Sequence, residues 1–145
     1  MKSLQFVALV LTALALVPSG AHLFALPNKI RESSYFVAQT IYRGWALLGI
    51  VLIAALLANV SLAVLTRAQR VPFIFLAITT LCLFATLAIF FAFTFPANQA
   101  TNNWTQIPAN WKHLRWQWEV SHAVNAVNTF VGFCSLTIST LLARE

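Results

Sequence analysis

Arg115, the adjacent pair Trp118 and Glu119, His122, Asn125 and Thr129 recur at intervals of three and four in a largely apolar stretch. At about 100° per residue they fall within roughly 60° either side of His122, which makes one polar stripe along a helix. A carboxylate and an imidazole three residues apart project together, and carboxylate-bridged metal bundles use that spacing. His22, in the first apolar run, lies at a matching depth, about 27 Å of helical rise from Leu4. His22, Glu119 and His122 are therefore a candidate set of metal ligands. Two other readings of the same residues stay open. Glu119 could form an ordinary ion pair with Arg115 one turn earlier, with His122 bonding to Asn98 or a loop carbonyl, as a structural polar cluster. A haem, with His22 and His122 as opposed axial ligands, or a quinone would be the third, the haem less favoured than a single metal ion or no cofactor. With no Asp in the chain, a two-metal carboxylate site cannot be assembled.

These groups belong to a longer polar stretch, residues 96–125, which contains four of the chain's five Trp, at 104, 111, 116 and 118. An interfacial belt would account for any one of them, since an indole has an apolar ring and a wet N–H. Pro108-Ala109-Asn110-Trp111 reads as a turn that plants an aromatic ring. An aromatic lid over a flat apolar molecule, such as a quinone or polycyclic phenol, fits as well.

The elements that must position these residues are apolar. Of 145 residues 60% are hydrophobic and only 8% charged, against about 25% charged in soluble proteins. This composition specifies an all-α, integral membrane four-helix bundle, whose backbone groups are satisfied within the helices. The expected spans are about 4–26, 44–65, 73–95 and 118–142, in a single domain over residues 1–145, with a polar Trp-rich loop at 96–117. A secretory signal with Ser19-Gly20-Ala21 as its cleavage site is the rival reading of the first run. The net charge of +6 comes from basic residues between apolar blocks, where they meet anionic lipid and not nucleic acid. Cys82 and Cys134 lie deep in apolar runs and read as small hydrophobes. Ala54, Ala55 and Ala58 offer a close-approach surface that would permit a homo-oligomer. Thr79, Thr80 and Thr86 can bond back to their own helix carbonyls.

If all four helices cross, one end of the bundle collects His22, Tyr42, Arg43, Asn98, Asn103, Trp104, Trp111, Arg115, Trp118, Glu119 and His122. Lys2, Arg67, Arg70 and Arg144 fall at the other. The polar end is the expected site, and the short basic turn at Arg67–Arg70 favours cytoplasmic termini.

Gly20-Ala21-His22-Leu23-Phe24, Leu26-Pro27-Asn28-Lys29, Gln39 with Ile41-Tyr42-Arg43-Gly44-Trp45, and the series Pro96-Ala97-Asn98, Asn103-Trp104, Pro108, Trp111, Leu114-Arg115, Trp118-Glu119 and His122 resemble a bacterial family of small four-helix membrane proteins of unknown function. That family is similar in pattern to the fungal anthrone oxygenases, which convert a hydroxylated tricyclic anthrone to the quinone with molecular oxygen. The resemblance implies a bacterial inner-membrane location and a matching signature at Asn98, Trp104, Trp111, Arg115 and His122. It implies His122 as the base, Arg115 and Asn98 as holders of the developing oxyanion, and Glu119 as the group that orients His122 or Arg115. Trp104, Trp111 and Trp118 would stack on the substrate, and Asn103, Tyr42 and Arg43 are further candidate substrate-binding residues. A non-catalytic membrane subunit or a lipid- or quinone-binding module is the alternative.

Overall fold

A computed structural model describes residues 1–31 and 47–144, and Tyr42 and Arg43 lie outside them. The chain is all-α. Helix α1 spans Lys2–Arg31, α2 Leu48–Thr66 and α3 Arg70–Ile89. A π-helical segment, Phe90–Thr94, leads into the short α4, Phe95–Ala100, and α5 covers Trp111–Leu142. Four helical stretches, Lys2–Pro27, Leu48–Thr66, Arg70–Ala100 and Trp111–Leu142, are long and apolar enough to cross a membrane. Helices are the form such sequences take there, because every backbone N–H and C=O finds its partner within the segment.

The helices pack in a ring: α1 against α2 and α5, α2 also against α3, and α3 also against α5. Their contact surfaces combine small and polar residues with a few leucines such as Leu62, Leu76, Leu83 and Leu136, and their outer faces are large and apolar. Thr12, Asn59, Thr79 and Thr129 are fully buried, whereas Phe24, Ile50, Leu57, Leu81, Phe91 and Leu141 stand exposed. This reverses the distribution of a soluble protein and suits contact with lipid. It also lets helix backbones approach closely and bond across the seams. Thr79 Oγ1 donates to the Gly132 carbonyl at 3.0 Å, Ser139 Oγ to the Pro72 carbonyl at 2.9 Å, and Asn59 Nδ2 to Thr12 Oγ1 at 3.2 Å. A β-carbon on Gly132 would sit 3.3 Å from Cys82 Cβ, so glycine there permits the α3–α5 contact. Thr79, Thr80 and Thr86 do bond their own i−4 carbonyls. Ala55 and Ala58 are buried within the chain, so these two serve intramolecular packing and not an oligomer face.

Several expected boundaries shift. The third span does not stop at Phe95, because the helix absorbs Pro96. Proline has no N–H to return to the carbonyl four residues earlier. The wider π turn, in which the Phe95 N–H bonds the Phe90 carbonyl, admits it and helical structure resumes through Ala100. The fourth helix begins at Trp111 and not at Trp118. Residues 111–117 contain no helix breaker, and helical periodicity buries Leu114 and Arg115. The non-helical connection thus shrinks from 96–117 to 101–110. Helix α1 runs unbroken through Pro18 and the small residues after it.

Chain ends and turns sort by side. Gln69, in the α2–α3 turn, exchanges two bonds with Arg144: Nε2 to the Arg144 carbonyl at 2.9 Å, and the Arg144 N–H to Oε1 at 2.8 Å. His22 meets Trp118 at the opposite end, some 30 Å of helix from Lys2.

Candidate site at the mouth of the bundle

Two polar bonds dock the π segment on α5. Gln117 Nε2 donates to the Phe93 carbonyl at 2.8 Å, and the hydroxyls of Thr94 and Ser121 lie 2.7 Å apart. They set the height at which α4 presents Asn98. The following turn is strained: Asn102, Asn103 and Trp104 have φ of 46°, 55° and 65°. Left-handed backbone costs an L-residue about 1–2 kcal/mol, and Asn bears it better than most. Trp bears it poorly, so the surroundings must impose it. Thr101 Oγ1 accepts the Trp104 N–H at 3.1 Å, the Asn98 carbonyl accepts the Asn103 N–H at 2.7 Å, and Asn98 Oδ1 accepts the Trp104 indole N–H at 2.8 Å. The indole itself is buried with Ala97, Leu114 and Trp118.

From Trp104 the aromatic packing continues inward. Its ring lies 5.2 Å from that of Trp118, edge to face. Trp118 in turn makes T-shaped contacts with His22 at 4.6 Å and with His122 at 4.4 Å. The two imidazoles stack on each other, with centroids 4.4 Å apart and planes 25° from parallel. Glu119 is fully buried, and its Oε2 stands 3.9 Å from His22 Nδ1, within ion-pair reach and beyond hydrogen-bonding distance. Arg115 is buried one turn before it. The helix stripe therefore faces inward, and α1 brings His22 to the same place.

Among the described residues no group of three or more His, Cys, Asp or Glu is arranged to hold a metal ion.

The other expected residues separate. Trp111 is half-buried beside the Trp104–Trp118 cluster, with Lys112 Nζ 5.8 Å from its ring centroid. Asn103 is exposed and serves the turn. Trp116 is exposed on the outer surface, the position of a belt residue, while Trp104 and Trp118 are internal. Thr94, Gln117 and Ser121, which sequence reasoning passed over, join the two sides of the site. Their only signal was Pro96, whose effect on the preceding turn depends on what α5 offers to the displaced backbone.

Comparison with family models, with curated proteins and with solved structures found no match to this chain.

Proposed function

We propose that this four-span membrane protein is an oxidoreductase that takes a flat hydroxylated aromatic or quinol-type molecule at the end of the bundle formed by His22, Asn98 and Trp118. The resemblance to anthrone oxygenases suggests the reaction. One observation carries the reading: two imidazoles and a fully buried carboxylate, drawn from the first and last helices, gather against Trp118, with Arg115 buried one turn away on the same helix. Ionisable groups are expensive inside an apolar bundle and as a rule mark sites of function.

In this reading His122 takes a proton from the activated ring carbon, and Arg115 holds the negative charge that develops on the substrate's oxygen. The electron pair left on that carbon reduces molecular oxygen to a carbon-bound hydroperoxide. The proton returns as the hydroperoxide loses water and leaves a carbonyl. A CH2 group and O2 thus become C=O and H2O. Glu119, with His22 as a near neighbour, orients His122 or Arg115. Asn98 holds Trp104 in place. No resident metal or haem is required for an electron-rich carbanion of this type.

The test is oxygen uptake and quinone absorbance with a dihydroxyanthrone and the chain purified in mild detergent. Wild type should consume one O2 per quinone formed, and His122→Ala should lower the rate by about a hundredfold or more while remaining helical. A wild-type rate equal to background would reject the reading. Metal content and a visible spectrum, recorded on both proteins, would show whether His122 instead ligates a metal.

A non-catalytic lipid- or quinone-binding subunit is the second reading. It is favoured by the edge-to-face packing of Trp104 on Trp118 and of Trp118 on both imidazoles, which engages these rings within the chain. Co-purification of a fixed partner, with no anthrone or quinol chemistry, would select it.

A further inference from the structure

Asn125 lies one turn beyond His122 on the same helix, is 3% exposed, and its Oδ1 has no hydrogen-bond partner among the described residues. A carboxamide oxygen in that state inside a membrane bundle is costly unless something donates to it. Its position is defined by the seam between α3 and α5. Ser121 meets Thr94 at 2.7 Å on one side, and Thr129 meets Thr86 at 3.5 Å on the other. That register sets Asn125 level with Phe90, where the π segment begins. Single π turns inside α-helices are frequent at functional sites. Asn59 offers the useful contrast. Its Oδ1 is also without a partner, but its amide is committed to the Ala55 carbonyl and to Thr12 Oγ1, which gives it a structural task joining α2 to α1.

We infer that Asn125 is the inner contact of the ligand site: its carboxamide oxygen accepts a hydrogen bond from a hydroxyl on the far edge of a flat aromatic molecule whose near edge meets the His22–His122 pair. This rests on the proposed function and adds a requirement to it. The substrate class narrows to ring systems that carry a hydroxyl distant from the reacting carbon.

A dihydroxyanthraquinone, a product-like molecule that cannot turn over, serves as the probe. It is titrated into the full chain in detergent and followed by Trp fluorescence, with thermal midpoints measured before ligand is added. Asn125→Leu removes the hydrogen-bonding group and keeps the branched side-chain skeleton. It should leave the ligand-free midpoint unchanged or raised and weaken binding about tenfold or more. Asn59→Leu should lower the midpoint and leave affinity unchanged. Equal affinity in Asn125→Leu and wild type would overturn the inference and leave the proposed function standing. A lower midpoint, or loss of folded protein, in Asn125→Leu would also overturn it, since the carboxamide would then have a structural partner. Absence of any binding by wild type would reject both.

Discussion

Asn98 positions Trp104 through a buried bond from the indole N–H, and Trp104 keeps a backbone conformation that its side chain would not choose. Asn98→Ala should therefore lower stability by about 1–3 kcal/mol, because the indole N–H loses its acceptor; thermal unfolding in detergent reads the loss. Asn103, with φ 55°, is a turn residue. Asn103→Gly should be neutral or stabilising by up to about 1 kcal/mol, and Asn103→Val destabilising. Ligand affinity should be unaffected by Asn103→Gly, in contrast to a residue that touches substrate. The Glu119–His22 pair calls for a double-mutant cycle. Glu119→Gln and His22→Gln should each lower turnover, and the double variant should lose less than the product of the two single losses, with a coupling of about 0.5–3 kcal/mol. Strict multiplicativity would separate Glu119 from His22.

At the scale of elements, the site depends on how α3 and α5 are fastened together. Gly132 sets their distance, Thr79 and Ser139 bond across the seam, and the π segment adds the Gln117 and Thr94 contacts at the mouth. A side chain at position 132 meets Cys82 and the Thr79 backbone. Gly132→Val should cost about 1–3 kcal/mol, with Gly132→Ala costing less, as measured by thermal midpoint. The damage should also reach the ligand site some 15 Å of helix away, since the same seam positions Asn125 and Trp118. A Gly132→Val protein of unchanged stability would mean that the helices can separate without loss.

For the whole molecule, topology is the testable property. The Gln69–Arg144 bonds and the His22–Trp118 contact put the α2–α3 turn and position 144 at one end, with the 101–110 connection at the other. In a background with Cys82 and Cys134 replaced by Ala, a single cysteine at Gln69 and one at Asn102 should react with a membrane-impermeant thiol reagent from opposite faces of sealed vesicles. We expect the Gln69 face to be cytoplasmic, since Arg67 and Arg70 flank it. Labelling of both positions from one face would reject the four-span topology.

Much of this molecule could be read from composition and period. Long apolar stretches in water-free surroundings have few structural options, so four spanning helices follow from hydropathy alone. The inward stripe of α5 follows from the cost of burying Arg115, Glu119 and His122 anywhere but inside a bundle. Three features followed only from the tertiary structure. The stacking of His22 on His122 is one, because spacing along one helix says nothing about the plane in which a second helix presents its imidazole. A neighbour of Glu119, His22, came from α1, nearly a hundred residues earlier in the chain. The π segment carried the third helix past Pro96, because Gln117 and Ser121 of another helix were in place to bond the Phe93 carbonyl and Thr94. Local sequence sets which backbone forms are affordable, and contacts between distant helices decide among them.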